Sequence, residues 1–507
     1  MVARVFALPI LCAALGCSST GSGRPGTGLE GGVEAGPEGG SEGGLEAGFD
    51  AGPRIADDSA QANRAACAYA RGALPAETLG ASTPITGEIP VDNIVIVMME
   101  NHSFDQYFGH LNQYASRTDI ESAPASTTNP DTDAGLQPWV HAPHLCSLDT
   151  DHTWAGTRKE IDNGMMDGFA QVNQGTPVPA APDGGKLDPS LGSGGRSLWW
   201  YDQTDLPFYY ELANTFALAD HYHSSVPGPT WPNRTFFYAA TSFGGTQTGG
   251  AFPLADQSKY PYPGNPLSIL DELEDSSVSW TYYSDSVLAT PILLYGPGWQ
   301  NRWQRTVSAK FADFLSAASA GQLPAVSFVD PNLNISSSGS GSESDEHPPG
   351  DIQEGQQFVS QVVQAVMTSP QWSHTALFIT YDEHGGFYDH VSPPAACAPD
   401  TIAPILVSGD MTKGGFDLYG IRVLLIAVSP YAKKGYVGHR LYDHTSLTRF
   451  IEAKFALPAL TARDANAEPP TDLFDFVNPP AFLTPPIIAS PTIDPAGLAY
   501  CTATFGK

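Results

Sequence analysis

The chain has 507 residues, with 24 Lys or Arg against 54 Asp or Glu and a formal net charge of −30. A surface this acidic repels phosphate backbones, which excludes general nucleic-acid binding. Hydrophobic residues at 41% and aromatic residues at 10% can bury a large core, which excludes disorder throughout. Length alone allows one large α/β domain with insertions, or about two to three average domains. Charged residues are only 15%, whereas Gly (51) and Pro (44) abound, so long loops between core elements are expected. No uncharged apolar run reaches about 18 residues, the length that spans a bilayer.

At the N-terminus, Arg4 precedes an apolar stretch over residues 5–15, interrupted by Pro9 and ending in Ala14-Leu15-Gly16-Cys17. That stretch has the length of a signal-peptide core and is too short to cross a membrane. Residues 1–17 resemble a bacterial lipoprotein signal in which Cys17 becomes the lipid-bearing N-terminus, although Ala14 stands where Leu is usual. The mature protein is then expected outside the cytoplasm, lipid-anchored to the bacterial envelope or secreted. Residues 29–52 repeat LEGG, VEAG, PEGG, SEGG, LEAG and FDAG. Each unit carries one acid and ends in Gly, leaving nothing apolar to pack. Residues 18–60 therefore read as a flexible tether, and 61–507 as a single catalytic domain with a Pro-rich tail. Cys12 and Cys17 belong to the signal. Cys67, Cys146, Cys397 and Cys501 remain, an even number that predicts two disulfides with three pairings open.

Asn93–Met99 is a continuous apolar, β-branched run that fits a strand buried on both faces. It stops at Glu100-Asn101-His102-Ser103-Phe104-Asp105. Residues 325–329 form a similar run that stops at Asp330-Pro331-Asn332. Phe358, Val359, Val362, Val363 and Val366 keep helical spacing, with Pro370 just beyond. Residues 376–381 form another strand, ending at Asp382-Glu383-His384-Gly385-Gly386, and 422–428 another, ending at Ser429-Pro430. Strand, helix, strand predicts a parallel sheet with helices on its faces, and ligands bind outside the carboxyl ends of such strands.

Glu100, Asn101, Asp382 and Glu383 would bring three carboxylates and an amide to one edge. Such carboxylates raise one another's pKa unless a cation neutralises them. An oxygen-rich set predicts a divalent ion: calcium, magnesium, manganese, iron or zinc. Between the strands lies Ser225-Val226-Pro227-Gly228-Pro229-Thr230-Trp231-Pro232-Asn233-Arg234. Its prolines stiffen the segment and present Thr230 in one geometry. A metal-assisted Thr hydroxyl can act as a nucleophile, and the planar fork of Arg234 can hold a phosphoryl oxygen.

The blocks IVIVMMENHSFDQYFGHL, SSVPGPTWPNR, EHPPGDIQEGQQFV, FITYDEHGGFYDHVSPP and GIRVLLIAVSP…YDHTSLTRFIE occur in this order. Together they resemble the bacterial phosphoesterase family of phospholipases C and acid phosphatases, from about residue 90 to 456. The resemblance implies an α/β fold like that of alkaline phosphatase: a central, mostly parallel sheet flanked by helices, with long loop insertions. It implies Glu100, Asn101, Asp382 and Glu383 as metal ligands and Thr230 as the nucleophile. His152 and His347 match histidines on the substrate side, and His390 and His444 sit in further matching blocks. The implied mechanism is in-line attack by a metal-polarised Thr230, a phosphothreonine intermediate, and release by water.

Met165, Trp231 and His384 depart from the family's usual residues and bear on substrate preference. The short Pro-rich segment after Phe455 has no room for the C-terminal β domains of the haemolytic phospholipases. The expected activity is accordingly that of an acid-phosphatase-like monoesterase. The alternative is a phospholipase C acting on glycerophospholipids, with Trp199, Trp200 and Trp231 as candidates for an apolar rim. The remote alternative is a non-catalytic surface lipoprotein. The expected partner is a phosphate ester, small or lipid, with no protein partner and no nucleic acid.

Overall fold

The structure is a computed structural model that describes residues 54–131, 135–175, 188–247, 268–286, 308–333, 343–407 and 410–506. The signal, Cys17 and the four-residue repeats lie outside the described residues. The last residues assigned to the tether differ from expectation. Asp57–Ala65 (α1) is a helix whose first turn carries Asp57 and Asp58, and Arg54 donates to the Thr83 carbonyl. Acids in the first turn suit the positive end of a helix, so residues 54–60, read as tether, are ordered.

The central sheet contains eight strands among the described residues: Asn93–Met99 (β1), Ala217–Ala219 (β2), Trp280–Tyr283 (β3), Ser308–Ala309 (β4), Val326–Val329 (β5), Thr375–Tyr381 (β6), Leu425–Val428 (β7) and Val437–Gly438 (β8). Their spatial order is β8-β2-β7-β6-β1-β5-β3-β4. β1 runs parallel to both β6 and β5, pairing Ile94 with Ala376 on one side and with Val326 on the other. Every residue of β1 and β6 is buried, as their uninterrupted apolar sequences require of central strands.

The strand over 425–428 runs against the parallel expectation. β7 is antiparallel to β6, with Leu377 opposite Val428. No described helix intervenes between these two strands, and a parallel return needs a crossover, usually a helix. The chain instead leaves β6 at its carboxyl edge and re-enters from that edge. Ser429-Pro430 therefore lies at the far edge, while Arg422 lies near the ends of β1 and β6. β2 is also antiparallel to β7, and the remaining pairings are parallel.

Helices flank the sheet. These include Trp154–Ile161 (α2), Pro207–Thr215 (α3), Thr230–Ala239 (α4), Ile352–Thr368 (α5), His444–Phe455 (α6) and Pro495–Phe505 (α7). α5 is the helix read from Phe358, Val359, Val362, Val363 and Val366, all buried, and Asp351 caps it by accepting from the Gln353 amide. α4 packs against α6, and α3 against α5. The cysteine pairs are Cys67–Cys397 and Cys146–Cys501. None of the described helices is long and apolar enough to cross a membrane.

Candidate active site

β1 and β6 are parallel and in register, so Met99 lies opposite Tyr381 and the two acid pairs leave the sheet side by side. The Asp382 amide donates to the Met99 carbonyl at 3.1 Å, and the Asn101 amide donates to Asp382 Oδ1 at 3.3 Å. Asn101 has φ +67° and Gly385 φ +64°. A Cβ on Gly385 would overlap the Asn101 carbonyl, which explains the glycine after the second acid pair. Glu100, Asn101, Asp382 and Glu383 are all buried.

Asp330, the residue after β5, reaches the same edge because β5 is parallel to β1. Arg234 is buried between these acids. Its Nε lies 3.1 Å from Asp382 Oδ2, its Nη1 3.1 Å from Asp330 Oδ2 and its Nη2 3.3 Å from Glu100 Oε1. Nη2 also donates to the Met98 and Met99 carbonyls. The guanidinium expected to grip a phosphoryl oxygen is thus committed to carboxylates. Acids this deeply buried need a counter-charge, and Arg234 supplies it.

Even so, charge remains poorly balanced. Burial pushes the Glu100 carboxyl up to about 7 against the pull of Arg234. Burial likewise holds Asp382 well above the usual carboxylate range, with Glu100 and Glu383 adding to the effect. Glu383 goes the other way. Burial would raise it, but His152, His384 and the Gly385 amide together hold it below its ordinary value.

Thr230 is the first residue of α4 and is buried. It stands one turn before Arg234, so both project from the same helix face. A group at this position meets the free amides and positive end of the helix, a setting that favours an anion.

His152 precedes the Thr153 cap of α2. Its Nδ1 donates to the Thr150 carbonyl at 2.8 Å. Its Nε2 lies 3.5 Å from Asn101 Nδ2 and 4.0 Å from Glu383 Oε1. Burial would lower its pKa, but Glu383, Asp149, the Thr150 carbonyl and Asp382 push it up to about 10. His347 donates from Nδ1 to the Pro348 carbonyl at 2.6 Å, and its ring centroid is 5.9 Å from that of His152. Burial opposes protonation there too, but Asp149, Glu100 and Asp345 raise its pKa despite His152.

The other two histidines have different surroundings. His444, fully buried at the start of α6, donates from Nε2 to the Asp382 carbonyl at 2.7 Å and accepts from Tyr222 Oη at 2.9 Å. Burial pushes it down to about 4, so it is neutral and fixes the backbone of Asp382. His390 lies 2.6 Å from Asp105, which shares Arg422 with Asp389. Trp199 and Trp231 are buried and Trp200 stacks on His110 at 3.6 Å, so these tryptophans form no exposed rim.

Two features escaped the sequence reading. Asp330 had a signal, since it ends a predicted strand. Glu160 had none: it lies in α2, far along the chain, yet its Oε2 is 2.9 Å from His384 Nε2, while His384 Nδ1 is 3.4 Å from Glu383.

Two buried oxygens beside the acid pairs suit a divalent cation, and among the described residues Asp149, His152 and His347 bring ligand atoms within 4.8 Å of one another. Asn101 Oδ1 and Glu383 Oε1 are buried without a hydrogen-bond partner. Three carboxylates, those of Glu100, Asp330 and Asp382, share a single guanidinium, and Glu383 lies beside His152 and His384. Buried oxygens in want of positive charge are what a hard or borderline ion takes.

A model of the Phosphoesterase family matches residues 91–458. Phospholipase C B of Mycobacterium tuberculosis is 30% identical over 433 residues, covering 77% of this chain and 78% of its own. Non-specific phospholipase C6 of Arabidopsis thaliana is 30% identical over 408 residues, covering 77% and 73%. Non-hemolytic phospholipase C of Burkholderia pseudomallei is 31% identical over 420 residues, covering 73% and 56%. A solved protein of the alkaline phosphatase superfamily from Vibrio parahaemolyticus aligns at TM-score 0.31 and 10% identity over 71% of this chain and 77% of its own. The chain belongs to the Phosphoesterase family and is a hydrolase of phosphoric esters.

Proposed function

We propose that this hydrolase cleaves phosphodiesters in the manner of a phospholipase C. The observation that carries this reading is the commitment of Arg234 to Glu100, Asp330 and Asp382. With it withdrawn from the substrate, His152 and His347 stand half-buried beside the acid edge, each with its pKa raised, against burial, by neighbouring acids. Two imidazole N–H donors match the two non-bridging oxygens of a diester. A monoester dianion has three such oxygens and one more negative charge. The Nδ1 atoms of both rings are committed to backbone carbonyls, so Nε2–H is the donor each offers. The relatives named as phospholipases C favour the same choice over the monoesterase first expected.

Glu100, Asn101, Asp382 and Glu383 would hold the divalent ion, which when bound supplies Lewis acidity and cancels carboxylate repulsion. Thr230 Oγ1 gives up its proton and attacks phosphorus in line, the P–O bond to one alcohol of the diester breaks, and that alkoxide leaves and takes up a proton. The intermediate is a phosphothreonine diester that keeps the other alcohol, and water then cleaves its Thr230 Oγ1–P bond to release the phosphomonoester. His152 and His347 stabilise the equatorial oxygens throughout, the chief source of catalysis in phosphoryl transfer. His444 and Arg234 hold the acids in place. The enzyme works outside the cytoplasm, tethered by lipid at Cys17, and its two disulfides suit an oxidising compartment.

The test compares p-nitrophenylphosphorylcholine with p-nitrophenyl phosphate, before and after chelation and metal add-back. Faster turnover of the choline diester, lost on chelation and restored by an added divalent ion, is the expected result. Release from the monoester alone would return the enzyme to the acid-phosphatase class.

A further inference from the structure

The segment that carries His347 is anchored by a side chain with no part in the chemistry described so far. Glu346 is buried, and its carboxylate accepts three tyrosine hydroxyls. Tyr107 Oη lies 2.7 Å and Tyr381 Oη 2.6 Å from Oε2, and Tyr209 Oη lies 2.7 Å from Oε1. These tyrosines come from separate elements: the short helix Phe104–Phe108, the last position of β6, and α3. The Glu346 carbonyl accepts from His102 Nε2 at 2.9 Å. Gly355 in α5 leaves room for the side chain, because a Cβ there would overlap Glu346 Cγ.

The backbone at Glu346 has φ +71°, a left-handed conformation that a glutamate adopts only when its surroundings enforce it. Its neighbours on either side touch the catalytic edge. The Asp345 carbonyl accepts from the Glu100 amide at 3.0 Å, and Asp345 Oδ1 accepts from the His347 amide at 3.0 Å.

We propose that Glu346 is a positioning residue: clamped by Tyr107, Tyr209 and Tyr381, it sets the left-handed turn that aims His347 at the substrate. This rests on the role given to His347 above. A displacement of about 1 Å at a catalytic group costs about 100-fold in rate. Glu346→Gln keeps the side chain's shape but turns one of its accepting oxygens into an NH2 donor that faces tyrosine hydroxyls.

The test is a double-mutant cycle on the full mature chain with p-nitrophenylphosphorylcholine. His347→Ala and Glu346→Gln are each expected to lower kcat and kcat/KM together by about 100-fold. The double variant is expected to be no slower than His347→Ala alone, since Glu346 acts through that ring. Losses that multiply in the double variant would overturn the proposal, as would Glu346→Gln at the parent rate while His347→Ala is inactive. His347→Ala at the parent rate would instead sink the catalytic reading of His347, and the proposal with it. Should Glu346→Gln fail to fold, Tyr209→Phe removes one hydroxyl and leaves the carboxylate. It is expected to slow the parent enzyme but not the His347→Ala background, and slowing both would overturn the proposal.

Discussion

At the residue scale, Thr230 and Arg234 share one helix face and are expected to respond to substitution in opposite ways. Thr230→Ala should abolish turnover while leaving the thermal midpoint within a few degrees, because the proposed mechanism makes its hydroxyl the nucleophile and the change removes little packing. Full activity in that variant would remove Thr230 as nucleophile. Arg234→Met should leave buried acids without their counter-ion, a defect of about 3–5 kcal/mol seen as a lowered midpoint. Added divalent ion should recover part of that loss. The same acids give metal-free protein a pH dependence of defined sign. Glu100 is raised from 4.5 to about 7 in the folded state. Folded protein therefore binds more protons than unfolded protein between these values, and stability falls as pH rises through that window. A bound divalent ion should flatten the slope. Thermal scans between pH 5 and 8, with and without chelator, read this directly; equal slopes would contradict a cation among these carboxylates.

At the scale of elements, the strands that carry the acid pairs were legible because an uninterrupted apolar run has few places to go except the middle of a sheet. Their polar ends, which the parallel register brings side by side, were legible for the same reason. Direction was not legible: the apolar pattern of β7 is the same either way, and only the path of the chain from 382 to 424 sets it antiparallel. Contacts between distant segments were hidden too. Nothing local in Glu160 points to His384, and nothing local in Arg234 distinguishes a guanidinium facing substrate from one facing three acids. Gly385 belongs to this scale, since it lets the turn after β6 lie against the turn after β1. Gly385→Ala combines a positive φ with an overlap on Asn101. It should cost about 1–3 kcal/mol of stability and lower divalent-ion affinity, measured by calorimetry. Unchanged ion affinity would separate that turn from the metal site.

At the scale of the whole molecule, an even number of cysteines announced two bridges, but the pairing needed the fold, because partners 330 and 355 residues apart leave no local trace. Cys501→Ser frees α7 from Cys146 and is expected to cost about 2–4 kcal/mol, seen as a lowered thermal midpoint. The two covalent rings overlap: one closes over residues 67–397 and the other over 146–501. Any single peptide bond cut between Cys67 and Cys501 therefore falls inside at least one ring, and within 146–397 it falls inside both. A secreted protease that nicks one exposed loop would release no fragment. The clipped enzyme would migrate as a full-length chain until reductant is added, so this hydrolase can lose the continuity of its backbone between Cys67 and Cys501 without losing any of its parts.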